Sequence, residues 1–203
     1  MRKNWLYLFL ATIVFIAPYN HAFAQKNLKD KYRNKANDPY ASVDFDKKME
    51  WADELYRHSS YFNAIDYYQQ LKQKDPRNPY ITWQLAQCYR ATRDYVLAAY
   101  YYTETKNLGK KVYPYAPYYA GLMYKQQCEY NLAKQSFAEF LDDFKKNPIE
   151  EREGTTISSN VYERRINPKR IKEIKKLIKV EIEGCDMAIS SLKNPEPATL
   201  INA

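Results

Sequence analysis

A chain of 203 residues with a formal net charge of +8 and only four glycines is long enough to bury a proper core. It is too poor in glycine for a phosphate-cradling loop or a turn-rich β fold. Three cysteines exclude a fully paired disulfide framework, because an odd count leaves at least one thiol over.

The first 24 residues read MRKNWLYLFLATIVFIAPYNHAFA. Arg2 and Lys3, an apolar run from Trp5 to Ala17 and the small-x-small ending Ala22-Phe23-Ala24 are the three parts of a secretory signal peptide. The apolar run is short for a bilayer span, and no cysteine follows the expected cleavage site to make a lipoprotein. The pattern therefore predicts export. In an exported chain the basic balance points to anionic envelope surfaces, to an acidic protein partner or to nothing beyond solubility, rather than to nucleic acid. Residues 25–44 are polar and aperiodic and read as a flexible leader.

Over residues 45–146 a period dominates. SYFNAIDYYQQL (60–71), DYVLAAYYYTET (94–105) and EYNLAKQSFAEF (129–140) align at offsets of 34 and 35 residues. Tyr61, Tyr95 and Tyr130 share one position, Ala64, Ala98 and Ala133 a second, and Tyr68, Tyr102 and Phe137 a third. The preceding segments repeat likewise: Ala52, Ala86 and Gly121 are each followed three positions later by Leu55, Tyr89 or Tyr124. A helix–turn–helix unit about 34 residues long is the tetratricopeptide pattern, in which small residues let paired helices approach and large rings fill the space between. Helices are predicted at 45–58 with 61–74, 79–91 with 95–107, and 115–127 with 130–145. Pro114 and Pro117 stand where a helix start tolerates a missing N–H. Among the tyrosines of DYVLAAYYYTE (94–104), Tyr95 and Tyr102 read as core, Tyr101 as an interface with the next repeat, and Tyr100 as the ring facing solvent.

Residues 147–167 hold a proline, a glycine and a Thr/Ser cluster and read as a loop or insertion. Ile171, Ile174, Ile178, Ile182, Cys185, Ile189 and Leu192 then step by three and four, making one apolar stripe on a helix at 168–193. A repeat stack leaves its last apolar face open, so this helix is expected to cap it. Residues 194–203 read as a linker or tail. The fold expected is all-α: a right-handed tetratricopeptide superhelix of about three repeats with a C-terminal capping helix. Cys88 and Cys185 are expected inside it as small apolar groups.

Catalysis finds little material. Beyond His21 in the signal-peptide stretch there is one histidine, His58, at a helix end that suits its cation, and no Gly-x-Ser-x-Gly, HExxH or CxxC pattern occurs. Three dispersed cysteines lack metal-ligand spacing, and the acidic pairs at 44–46 and 142–143 suit capping and solvation better than calcium. No cofactor is expected. Binding has more to work with, since first helices of successive repeats line the concave face of such a stack. The outward register gives Met49, Asp53, Tyr56 and Arg57, then Tyr80, Trp83, Gln87 and Arg90, then Tyr115, Tyr118, Leu122 and Lys125. Aromatic rings flanked by cations are the make-up of binding hot spots, and the groove would take an extended peptide or a terminal carboxylate. The basic run from Arg164 to Lys179 is a second feature. Such a run is usually the solvated back of a packed helix; contact with an anionic membrane through it is the rarer role.

The segments AIDYYQQL, LAQCYRATRDYVLAAYYY, YYAGLMYKQQCEYNLAKQSFAEFL and above all EIEGCDMAISSLKNP resemble the N-terminal tetratricopeptide region of periplasmic proteins of Bacteroidota. In that family the repeats precede a PD40-type propeller and an OmpA-like peptidoglycan-binding domain, and some members serve type IX secretion or gliding. The likeness covers about residues 45–195. It implies a periplasmic, outer-membrane-associated scaffold that binds an envelope protein and is not an enzyme. The stretch 147–167 is longer than the family's loop, and neither propeller nor peptidoglycan-binding domain is present, so cell-wall attachment does not carry over. The alternative implied by the basic helix is a structural envelope protein tethered through it to membrane or cell wall.

Overall fold

The computed structural model describes residues 42–109, 112–146 and 168–193. The expected signal peptide (1–24), most of the stretch read as a leader, the 147–167 segment with Arg164 and Arg165, and residues 194–203 lie outside the described residues. Among those described, seven helices and no strand occur: α1 Phe45–Arg57, α2 Tyr61–Lys74, α3 Pro79–Ala91, α4 Tyr95–Gly109, α5 Ala116–Gln126, α6 Tyr130–Lys146 and α7 Pro168–Lys193. They fall into two compact units, and the chain passes from one to the other between Pro76 and Arg77.

The first unit contains the α1–α2 hairpin. Asp44 caps α1 by accepting from the Asp46 amide at 3.1 Å, which satisfies one of the helix's orphan donors. Ala52 and Ala64 are fully buried and leave room for the helices to approach, and the Tyr68 ring fills the space beside them. Its hydroxyl donates to Asp53 Oδ1 at 2.6 Å, so a phenol can sit in the core without an unsatisfied polar atom. Trp51 meets Tyr67 edge to face across the hairpin.

The second unit holds the other two hairpins and α7. Asn78 caps α3 by accepting from the Tyr80 and Ile81 amides, with Pro79 at the first helical position. Ala86 and Ala98 are fully buried at the α3–α4 crossing, and Gly121 and Ala133 are buried at the α5–α6 crossing. Tyr102 and Phe137 occupy the ring position that Tyr68 has in the first unit, and are equally inaccessible. The repeat register therefore carries through to burial, side chain by side chain. In the stretch 94–104, Tyr101 is buried and stacks on Tyr89 at 5.5 Å, whereas Tyr95 and Tyr100 are half-buried.

Each hairpin turn is built the same way. Ser59, Arg93 and Cys128 take left-handed backbone angles, with φ of 59°, 63° and 60°. The following amides, of Ser60, Asp94 and Glu129, reach back to the Leu55, Tyr89 and Tyr124 carbonyls. This is the 6→1 closure of a Schellman motif, made here without the glycine that normally relieves the left-handed residue.

The last helix packs on the preceding hairpin. Its first turn meets α5 through Arg170 and Tyr119, and a later turn through Glu181 and Lys125. Lys175 lies over Phe144 near the end of α6, and Asp186 pairs with Lys134 near its start. Thus α7 runs parallel to α5 and antiparallel to α6, as the first helix of a further repeat would. Ile171, Ile174, Ile178 and Cys185 are buried, Ile182 and Ile189 half-buried, and Leu192 is 71% exposed. The expectation that Leu192 ends the packed stripe is corrected. With 26 residues against 17 in α6, α7 outruns its support after the Asp186–Lys134 contact.

Cys88 and Cys185 are inaccessible, whereas Cys128 is exposed at its turn. Burial pushes the Cys88 thiol up to about 12. Burial also raises Cys185, with Glu181 and Asp186 adding to the effect and Lys125 and Lys134 opposing it. In the folded chain at pH 8, iodoacetamide should label Cys128 alone, and all three thiols should react after unfolding, as counted by intact-mass spectrometry. The buried neutral thiol leaves stability unchanged below the unfolded thiol pKa. Its contribution is lost as pH rises from there towards about 12, because the unfolded chain ionises first.

Candidate peptide-binding face

The sequence-predicted positions divide into three groups. In the first unit, Tyr56 is half-buried against Tyr61 at 5.6 Å, and Arg57 is exposed and paired with Glu54. In the second unit, Trp83, Gln87 and Tyr115 are interior, at no more than 1% exposure. Tyr80, Arg90, Tyr118 and Lys125 remain half-exposed.

The interior three are a correction to the open-groove expectation, and each has a packing reason. Trp83 stacks on Tyr113 at 5.1 Å and meets Tyr102 and Tyr119 edge to face. It is therefore the hub of an aromatic cluster joining α3, α4, α5 and the loop before α5. Tyr115 is covered by the Arg170 guanidinium of α7, whose carbon lies 5.1 Å from the ring centroid. Gln87 accepts a hydrogen bond from Arg90 Nη2 at 2.7 Å and so orients that guanidinium.

Arg90, Tyr118 and Lys125 gather with two residues that register counting missed, Tyr119 and Arg170. Arg90 lies over the Tyr119 ring at 4.7 Å. Arg170 donates from Nη2 to the Tyr119 hydroxyl at 2.6 Å while lying over Tyr115. One tyrosine thus organises two guanidinium groups supplied by α3 and α7. Stacking on an aromatic face holds a guanidinium in a fixed plane, and its fork of donors matches a carboxylate. Tyr118 sits next to this pair and packs on Phe137 and Phe140. Its hydroxyl is raised above the ordinary tyrosine range by burial, then by Glu181 and Tyr119, against the lowering pull of Arg170 and Arg90. It stays a neutral donor at physiological pH. Lys125 is held by Glu181 at 2.5 Å. Tyr80 accepts from Gln84 Nε2 at 3.2 Å.

The outcome is a surface of fixed cations and rings without a nucleophile and base in contact. Among the described residues no three His, Cys, Asp or Glu side chains gather as a metal site, and no helix is long and apolar enough to cross a membrane. His58 caps α1 and meets Glu54 at 2.7 Å on the exposed side. Arg170 was legible only as part of a basic run; its position two residues into a helix that follows the repeats is the signal that could have placed it on the same face as Arg90.

No protein-family model matches the chain, and no curated protein matches it. Solved structures do. The type III secretion translocator chaperone SycD of Yersinia enterocolitica aligns over 71% of this chain and 85% of its own, at 17% identity and a TM-score of 0.53. SycD in complex with a peptide of the translocator YopD aligns over 70% and 92%, at 18% identity and a TM-score of 0.52. A type III secretion complex from Aeromonas hydrophila aligns over 88% and 99%, at 16% identity and 0.53. The chain has an all-α fold of the tetratricopeptide type. At these identities the likeness concerns the fold.

Proposed function

We propose that this chain is a non-catalytic protein-interaction module, a tetratricopeptide adaptor of a bacterial cell envelope that binds an extended, carboxylate-bearing segment of a partner protein. The observation that carries the reading is the Arg90–Tyr119–Arg170 arrangement beside Tyr118. Pre-organised cations and rings on a helical-repeat face are the make-up of a peptide hot spot. The similarity to a chaperone solved with a translocator peptide supports it. The signal-peptide pattern and the resemblance to Bacteroidota envelope proteins extend the proposal to a periplasmic, outer-membrane-associated scaffold, with type IX secretion or gliding as its setting.

The test is affinity capture from detergent-solubilised envelopes, followed by anisotropy titration of labelled peptides from the captured protein. Arg90→Ala, and Tyr118→Phe, which keeps the ring on Phe137 and Phe140 and removes only the hydroxyl, should each weaken peptide binding by about 10- to 30-fold, with a Tm close to that of the parent. Amidating a terminal carboxylate or replacing acids of the peptide should produce a comparable loss. Undiminished affinity in both variants would overturn the reading.

A further inference from the structure

Four of the six exposed large apolar side chains among the described residues lie on α7: Leu177, Val180, Met187 and Leu192, at 51%, 65%, 72% and 71% exposure. The first three are not scattered. With Gly184 they step by three, four and three residues, which confines them to about 80° of the helix circumference. That width is a seam for one helix, narrower than the broad apolar face by which a helix lies in a lipid surface. Leu177, Val180 and Met187 point away from Ile171, Ile174, Ile178 and Cys185 and stay exposed, while the half-buried Gly184 is the edge of the seam nearest α5.

Gly184 gives an independent pointer. Glycine inside a helix is unfavourable relative to alanine, and internal packing usually explains it. Gly121 is explained: an added Cβ would come within 2.5 Å of Phe137. At Gly184 an added Cβ would meet only Lys125 Nζ, at 3.8 Å, an ordinary contact. The chain's own fold does not require glycine there. A backbone approaching the seam from outside would.

Charge selects the occupant. Lys172, Lys176 and Lys179 line one exposed flank of the seam; of the exposed acids of the stretch, Glu183 shares that flank, Glu173 stands one turn before Leu177 in line with the seam, and Asp186 pairs with Lys134, so the flank stays net basic. We propose that the outer seam of α7 docks one amphipathic helix of a partner protein, its apolar edge on Leu177, Val180 and Met187, its backbone closest at Gly184 and its acidic side chains against the three lysines. Arg170 stands two turns before Leu177 on the same side of α7 and Gly184 neighbours Lys125, so the seam borders the Arg90–Tyr119–Arg170 face, although its assignment does not rest on that face.

The probe is a labelled synthetic helix about three heptads long, with leucine at the seam positions and glutamate on both flanks, titrated against the purified chain by anisotropy. A companion peptide carries lysine in place of glutamate. The glutamate peptide should bind at least about 10-fold more tightly, with the difference shrinking as salt rises. Val180→Glu and Met187→Glu, both at exposed positions, should abolish binding without changing the circular dichroism spectrum. Gly184→Ala should raise the Tm by about 2–4 °C while weakening the peptide by about 10-fold, and a purely internal role for this helix cannot produce that opposition of sign. Equal affinity for the two peptides, or unchanged affinity in Gly184→Ala, would overturn the proposal. So would seam-dependent binding to phosphatidylglycerol vesicles without peptide binding, which would assign the surface to lipid. Sedimentation showing a dimer that Val180→Glu dissociates would assign it to a second copy.

Discussion

Replacing Trp83 by alanine is expected to destabilise the folded chain by about 3–5 kcal/mol, the range for removing a large aromatic side chain from a core. The ring is fully buried and touches Tyr102, Tyr113 and Tyr119, which come from α4, the loop before α5 and α5 itself. Its loss would open a cavity bordered by three elements that cannot all close in together. The indole Nε1 has no hydrogen-bond partner among the described residues, so Trp83→Phe removes a buried donor together with volume, and the two effects oppose each other. The phenylalanine variant should therefore cost about 1–2 kcal/mol. Urea denaturation followed by far-UV circular dichroism measures both changes. The consequence for function is direct: a loss of binding in Trp83→Ala reports unfolding, whereas Arg90→Ala and Tyr118→Phe, which leave the core rings in place, report recognition.

The different fates of Trp83 and Arg90, outward neighbours in one register, show what the amino-acid sequence discloses here. Periodicity disclosed the hairpins, because the requirement for a small residue opposite a large ring is local and recurs every 34 or 35 positions. Ala52, Ala86 and Gly121, Ala64, Ala98 and Ala133, and Tyr68, Tyr102 and Phe137 are all buried where that spacing puts them. What covers an outward position is a different kind of information. Trp83 is closed off by Tyr113, which belongs to a connection with no period, and Tyr115 by Arg170, from a helix far along the chain. Neither partner is visible from the residue itself. The turns were hidden for another reason. Ser59, Arg93 and Cys128 adopt the left-handed conformation for which glycine is the usual marker; in their place the recurrence of the turn, at offsets of 34 and 35, was the available sign. Tyr119 went unnoticed because its neighbour Tyr118 holds the outward register, although Tyr119 is the ring that brings Arg90 and Arg170 together.

Gly121 is where the repeat pattern meets its tightest limit, and Gly121→Ala should destabilise the chain by about 1–2 kcal/mol despite alanine's better helix propensity. In isolation the substitution would favour the helix by about 1 kcal/mol. Here the new methyl would lie 2.5 Å and 2.6 Å from Phe137 Cε1 and Cδ1, far inside the separation at which carbon atoms attract. The Phe137 ring is fully buried and backed by Tyr118, so it gives way only by displacing neighbours, at the cost typical of an overpacked core. Gly121→Val should exceed 3 kcal/mol, since a branched side chain adds both bulk and rotamer restriction. The same register position tolerates Ala52 and Ala86 in the other two hairpins, so the constraint belongs to the α5–α6 crossing and not to the repeat as such. A double-mutant cycle isolates it. Phe137→Leu alone loses core volume, but combined with Gly121→Ala it removes the ring atoms the methyl would strike. The pair should therefore be more stable than the sum of the single changes by about 1 kcal/mol or more. Strict additivity would show that α5 and α6 accommodate the methyl by separating along their whole length.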